Sequence, residues 1–86
     1  MDPHQVISYP LATERSIRLL EAENKLVFVV QSHATKIDIK QAVEQMFKVK
    51  VNMVRTLITS RGEKRAYVKL MPQFPAIDIA TELGLM

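Results

Sequence analysis

The chain has 86 residues, 12 Lys+Arg against 9 Asp+Glu, no Cys and no Trp, and 48% of it is hydrophobic. That length fits one folded unit, residues 1–86, and the composition is that of globular proteins, which excludes disorder of the whole chain. The missing cysteines exclude disulfides, thiolate zinc sites, iron–sulfur clusters and a cysteine nucleophile.

Val6-Ile7-Ser8, broken by Tyr9-Pro10, reads as a stub of strand. Thr13-Glu14-Arg15-Ser16 then opens a helical pattern. Thr13 is a good N-cap, Glu14 suits the positive helix start, Ile17 and Leu20 share a face, and Asn24 is the stop. Lys25 to Gln31 is a strand. Its run Leu26-Val27-Phe28-Val29-Val30 does not alternate, so both faces are expected to be buried. Helices on both sides of a sheet would do this, and so would one helix layer with a docked partner. A bilayer span needs about 20 apolar residues, and this run has five. Met1-Asp2-Pro3-His4 lacks the layout of a secretory signal, so the chain is read as intracellular, with Met1 as its natural start.

Thr35 to Lys48 carries the clearest helical pattern. Ile39, Ala42, Val43, Met46 and Phe47 form one apolar stripe, and Thr35 with Asp38 has capping-box spacing. Val49 to Thr59 is a long strand whose alternation breaks at Val54, which predicts a bulge near Val54 to Arg55. Ser60-Arg61-Gly62-Glu63 is a turn, and Lys64 to Met71 returns with Ala66, Val68 and Leu70 facing one way and Arg65, Tyr67 and Lys69 the other. Pro72 and Pro75 end it, and a last helix covers Ala76 to Leu83, with Ile79 and Leu83 on its apolar face. The predicted class is α+β: a mostly antiparallel sheet of three to four strands packed with helices, in the order short strand, helix, strand, helix, strand, strand, helix.

No enzyme is expected. His4 and His33 have no helical partner or carboxylate cluster, so no metal site is predicted. Gly62 and Gly84 cannot build a phosphate-cradling loop, and no serine sits in a nucleophile-elbow motif, so no cofactor or small-molecule substrate is expected either. What stands out is charge. Residues 36–69 hold nine basic and three acidic residues, while the rest of the chain is net acidic. That asymmetry fits a polyanion on one side of the molecule, and equally a solvated helix face and a hairpin guarded by charge. Arg65, Tyr67 and Lys69 on one strand face, beside Arg61 and Lys64, offer phosphate ligands around a ring that can stack on a base.

Lys64-Arg65-Ala66-Tyr67-Val68-Lys69-Leu70 partly resembles a motif of RNA-recognition domains but lacks its glycine and first aromatic residue. A free-standing single-stranded RNA binder is the alternative this supports. A second resemblance covers about residues 6–70. Pro10-x-x-Thr13-Glu14-Arg15-Ser16 with Asn24-Lys25-Leu26-x-Phe28-x-Val30 is similar to the opening of the large-subunit ribosomal protein twenty-three family. Ala34-Thr35-Lys36-x-x-Ile39-Lys40-x-Ala42-Val43-Glu44 and Phe47-x-Val49-x-Val51 resemble its central helix and strand, and Gly62 to Leu70 its final hairpin strand. The ending Ile79-Ala80-x-x-Leu83-Gly84 resembles the short archaeal-type members.

The resemblance implies a cytoplasmic protein on the ribosome, bound to large-subunit ribosomal RNA and neighbouring ribosomal proteins beside the exit of the nascent-peptide tunnel. It implies a docking surface for chaperones or the signal recognition particle, and no membrane insertion. Thr13-Glu14-Arg15 stands where bacterial members have the Ser-Glu-Lys triplet used in chaperone docking, so Glu14 is the factor-docking candidate. Arg15, Lys36, Lys40, Arg55, Arg61, Lys64, Arg65, Tyr67 and Lys69 are the candidate RNA-binding residues. Two features depart from the family: Arg55-Thr56 replaces a common Asn-Thr pair, and the tight turn between Thr59 and Lys64 leaves no long hairpin extension.

Overall fold

Thr13 and Thr35 start the two longest helices in the same way: each hydroxyl accepts from the amide three positions on, and each threonine amide donates to that residue's side chain. Asp38 completes the box of the second helix as its spacing predicted, whereas Ser16 completes that of the first. In the computed structural model, which describes residues 3–85, the order is α1 (Pro3–Val6), β1 (Ile7–Pro10), α2 (Glu14–Glu23), β2 (Lys25–Val30), α3 (Lys36–Phe47), β3 (Val51–Ile58), β4 (Lys64–Leu70) and α4 (Ala76–Glu82). Met1 and Asp2, which belong to the N-terminal stretch read above, lie outside the described residues. The α+β class and the element order are as expected. The single turn α1 is additional, and the first strand begins one residue after Val6, which points into the core.

The four strands form one antiparallel sheet in the order β1-β2-β4-β3. The hairpin of β3 and β4 was legible from its turn, where Gly62 takes a positive φ of 82°. The insertion of β4 beside β2 was not. The register shift in β3 falls between Val51 and Met53, at Asn52, earlier than the predicted Val54 to Arg55. It turns Val51 and Val54 to the same buried face although they are three residues apart. Glu44 of α3 accepts from the Val51 amide at 3.0 Å, which ties the start of β3 to the helix.

One sheet face carries Leu26, Phe28 and Val30 of β2, Ala66, Val68 and Leu70 of β4, and Val51 and Val54 of β3. Leu20 of α2, Ile39, Ala42 and Val43 of α3, and Ala76, Ile79 and Ala80 of α4 join them in one core cluster. Phe47 belongs to the α3 stripe but, as the last residue of the helix, is only half-buried; its ring stacks on Phe28 at 6.0 Å. Asn24 closes α2 in the left-handed region and then holds the far end of the fold together. Its Nδ2 donates to the Phe74 carbonyl at 3.1 Å and its Oδ1 accepts from the Ala76 amide at 2.6 Å.

α3 and α4 thus line one side of the sheet, and α2 flanks it, with Leu20 in the core and Leu19 toward the other side. The burial of Val27 and Val29 on the other side, which left two explanations open in the sequence, comes from long strand side chains, the loop after β1 and Leu19 of α2. Tyr9 and Arg65 stand in register on either side of Val29, and Leu11 and Leu19 flank Val27.

Candidate nucleic-acid interface

Strand alternation and the strand register order the side chains of this second face into rows. One row runs Tyr9, Val29, Arg65, Leu57; the next Val27, Tyr67, Arg55; the third Lys25, Lys69, Met53. The face is open: Tyr9, Met53 and Leu57 keep 41–52% of their surface in solvent, and Arg55 is exposed. Arg15, from the first turn of α2, joins it across a shallow depression shared with Leu11, Leu19, Val27, Arg65 and Tyr67.

The fold therefore brings together five of the predicted residues, Arg15, Arg55, Arg65, Tyr67 and Lys69. From Arg65 to Lys69 the strand runs about 13 Å. Guanidinium and ammonium groups around a half-buried tyrosine, with apolar Leu57 and Met53 between them, can hold phosphates and support unstacked bases.

Arg65 is fixed more tightly than a surface cation normally is. Its Nε donates to Glu63 Oε1 at 2.8 Å, and the Tyr9 hydroxyl donates to Glu63 Oε2 at 3.1 Å. Since Tyr9 lies in β1 and Glu63 precedes β4, the tyrosine reaches across β2, over Val29. The hydrogen bond from Arg65 holds the Glu63 carboxyl below its ordinary range, burial opposes this, and Tyr9, Arg65 and Arg61 add to the lowering. The hydrogen bond to Glu63 pushes the Tyr9 phenol up, against the opposing charge of Arg65, and the bond to Glu63 likewise raises Arg65.

The other predicted residues lie elsewhere. Arg61 is exposed in the turn, near Glu63. Lys64 faces the helix side, where its Nζ donates to the Ala34 carbonyl at 2.7 Å and closes the loop before α3. Lys36 and Lys40 are exposed one turn apart on α3, in the helix layer. Glu14 is exposed at the start of α2 and pairs with Arg18 at 2.7 Å.

Sequence reasoning missed Tyr9, Glu63, Lys25, Met53 and Leu57. Strand parity alone would have placed Glu63 with Arg65, but Tyr9 and Glu63 are 54 positions apart and only the strand order unites them. Among the described residues no group of three or more His, Asp or Glu could hold a metal ion, and no helix is long and apolar enough to cross a membrane. The chain was also compared with known families: the family model for ribosomal protein L23 matches residues 5–76, from the end of α1 through β4 to the first residue of α4.

Proposed function

The chain belongs to the ribosomal protein L23 family and is accordingly a protein of the large ribosomal subunit; on that premise we propose that it binds large-subunit ribosomal RNA through the open sheet face. The observation that supports this is the clustering of Arg15, Arg55, Arg65 and Lys69 around Tyr67 on the sheet side away from the core. Arg61 extends the basic surface at the hairpin end, and Lys36, Lys40 and Lys64 supply a second basic strip beside α3. The protein works in the cytoplasm, on the ribosome, as a structural component and not as an enzyme. It sits among neighbouring ribosomal proteins beside the exit of the nascent-peptide tunnel.

The exposed start of α2 offers Glu14 to factors that meet the emerging chain, the signal recognition particle among them. Its pairing with Arg18 does not oppose this, because an exposed i,i+4 pair contributes little and exchanges readily. An element order of strand, helix, strand, helix, strand, strand, helix after α1 differs from the β-α-β-β-α-β order of RNA-recognition domains, which weighs against the free-standing binder.

Sedimentation tests the placement: the cellular protein should travel with large subunits and stay with them in moderate salt. Recovery in the soluble pool alone would rule out the ribosomal reading. Arg55→Ala with Lys69→Ala should weaken binding to deproteinised large-subunit RNA; unchanged binding would move the RNA to another surface. Glu14→Lys should still enter ribosomes but slow their association with the signal recognition particle, since a rim charge acts mainly on encounter. Equal association rates would leave Glu14 a helix-start residue.

A further inference from the structure

Two basic residues of the open face pair with carboxylates: Lys25 Nζ lies 3.0 Å from Glu23 Oε1, and Arg65 is held by Glu63, whose carboxylate is in turn bound by Tyr9. Glu63 engages Nε; the Tyr67 hydroxyl lies near enough to raise the guanidinium further, but among the described residues no hydrogen bond occupies the two terminal nitrogens, which are left for a ligand. The carboxylate is itself fixed at both oxygens, one by Arg65 and one by Tyr9. Its backbone is fixed as well: the Glu63 amide donates to Thr59 Oγ1 at 3.2 Å and its carbonyl accepts from the Thr59 amide at 2.8 Å. Three parts of the fold, β1, the hairpin turn and β4, converge on one arginine.

An acidic residue on a face that binds a polyanion has two opposite physical consequences. As a charge it repels phosphate and partly neutralises Arg65, so its removal would strengthen binding. As a support it restricts a long flexible side chain to one orientation before the ligand arrives, so its removal would weaken binding by the cost of ordering that side chain afresh. The full engagement of both carboxylate oxygens and the freedom of the terminal nitrogens favour the second consequence. We propose that Glu63, braced by Tyr9, is a positioning residue that presents the terminal nitrogens of Arg65 to a phosphate or base edge of RNA on the open sheet face. The proposal rests on the reading of that face as the RNA surface.

The sign of a mutational effect separates support from repulsion. The full chain is titrated with deproteinised large-subunit ribosomal RNA at fixed salt. Glu63→Ala raises the net charge by one, yet it should weaken binding about 2- to 10-fold, the range expected for one newly ordered side chain. Glu63→Gln carries the same net charge as Glu63→Ala but keeps an acceptor for Nε, so it should bind more tightly than Glu63→Ala. Tyr9→Phe, which removes only the hydroxyl, should lose less than Glu63→Ala, in the same direction. With Arg65→Ala as the background, Glu63→Ala should no longer weaken binding.

Tighter binding by Glu63→Ala, or equal binding by Glu63→Ala and Glu63→Gln, overturns the positioning role while leaving the open face as the RNA surface. Parental binding by Tyr9→Phe overturns the brace. Parental binding by Arg65→Ala alone overturns both the positioning role and this arginine's place in the RNA surface, which distinguishes the two failures.

Discussion

At the scale of single residues, Asn24 does work its sequence position only half announces. A helix stop was legible there; that its amide also links the end of β4 and the start of α4 was not, because Phe74 and Ala76 are 50 or more positions away. Asn24→Ala deprives the Ala76 amide of its acceptor and places a Cβ residue without a compensating side chain at a φ of 56°. Lost hydrogen bonds and left-handed strain together should cost about 2–4 kcal/mol. Asn24→Gly should recover about 1 kcal/mol of that, because only the conformational part is relieved. Urea unfolding of the three proteins checks both values. The titrating residues give a second prediction. Hydrogen bonds to Thr35 hold the Asp38 carboxyl low, as those from Arg65 and Tyr9 hold that of Glu63. Folded-state values below the unfolded ones mean stability that is present above the ordinary carboxylate range and lost as pH falls through the lowered values. The Tyr9 phenol is raised, so its contribution is present below about pH 10 and lost on further alkalinisation. Asp38→Asn and Glu63→Gln should each flatten the acid limb of the stability–pH curve, and Tyr9→Phe the alkaline limb. An unchanged limb would mean that the contact does not persist in solution.

At the scale of elements, period and caps made the helices legible, and the turn residues made the hairpin legible. Strand order was harder. The run Leu26 to Val30 carried the information that β2 is central, but a sequence cannot say whether its second face meets helices, a partner or long polar side chains. Asn52 hid the bulge because Val49, Val51 and Met53 keep perfect alternation through it, and only the later burial of Val54 betrays the shift. The stripe of α3 also grades along its length, from Ile39 and Val43 at 0% exposure to the half-buried Phe47. Phe28→Ala should therefore cost about 3–5 kcal/mol, and Phe47→Ala less, about 2–3 kcal/mol, as it loses a stacked ring but partly exposed area. Denaturant midpoints should fall in that order with an unchanged slope. Lys48, which closes α3, sits at a φ of 54° and is exposed. Glycine relieves that conformation without removing a buried contact, so Lys48→Gly should stabilise by about 0.5–1 kcal/mol, read as a higher melting temperature. Destabilisation would show that the lysine stem packs on the helix end.

At the scale of the whole molecule, the net positive stretch of residues 36–69 was legible, but its division between two surfaces was not. The linear sequence places Lys36 and Lys40 with Arg55 and Lys69 in one basic block; the fold sends the first pair to the helix layer and the second to the open sheet face. Arg15 lies outside the block in sequence and yet lines the open face. Packed layers of secondary structure stand about 10 Å apart, and exposed charges on their outer surfaces farther still, beyond the Debye length of about 8 Å at physiological salt. Charges so separated act on RNA independently, and their effects on binding should add. Each phosphate neutralised contributes about 0.7–0.9 to the slope of log affinity against log salt, the lower value for single strands. If large-subunit RNA wraps both layers, Arg55→Ala with Lys69→Ala should lower that slope by about 1.5, Lys36→Ala with Lys40→Ala by the same, and all four together by about 3. A helix-layer pair that leaves the slope at its parental value would confine the footprint to the open face. A four-fold variant that loses no more than either pair would mean that the two strips compete for the same phosphates, which the distance between the layers does not allow for a rigid fold.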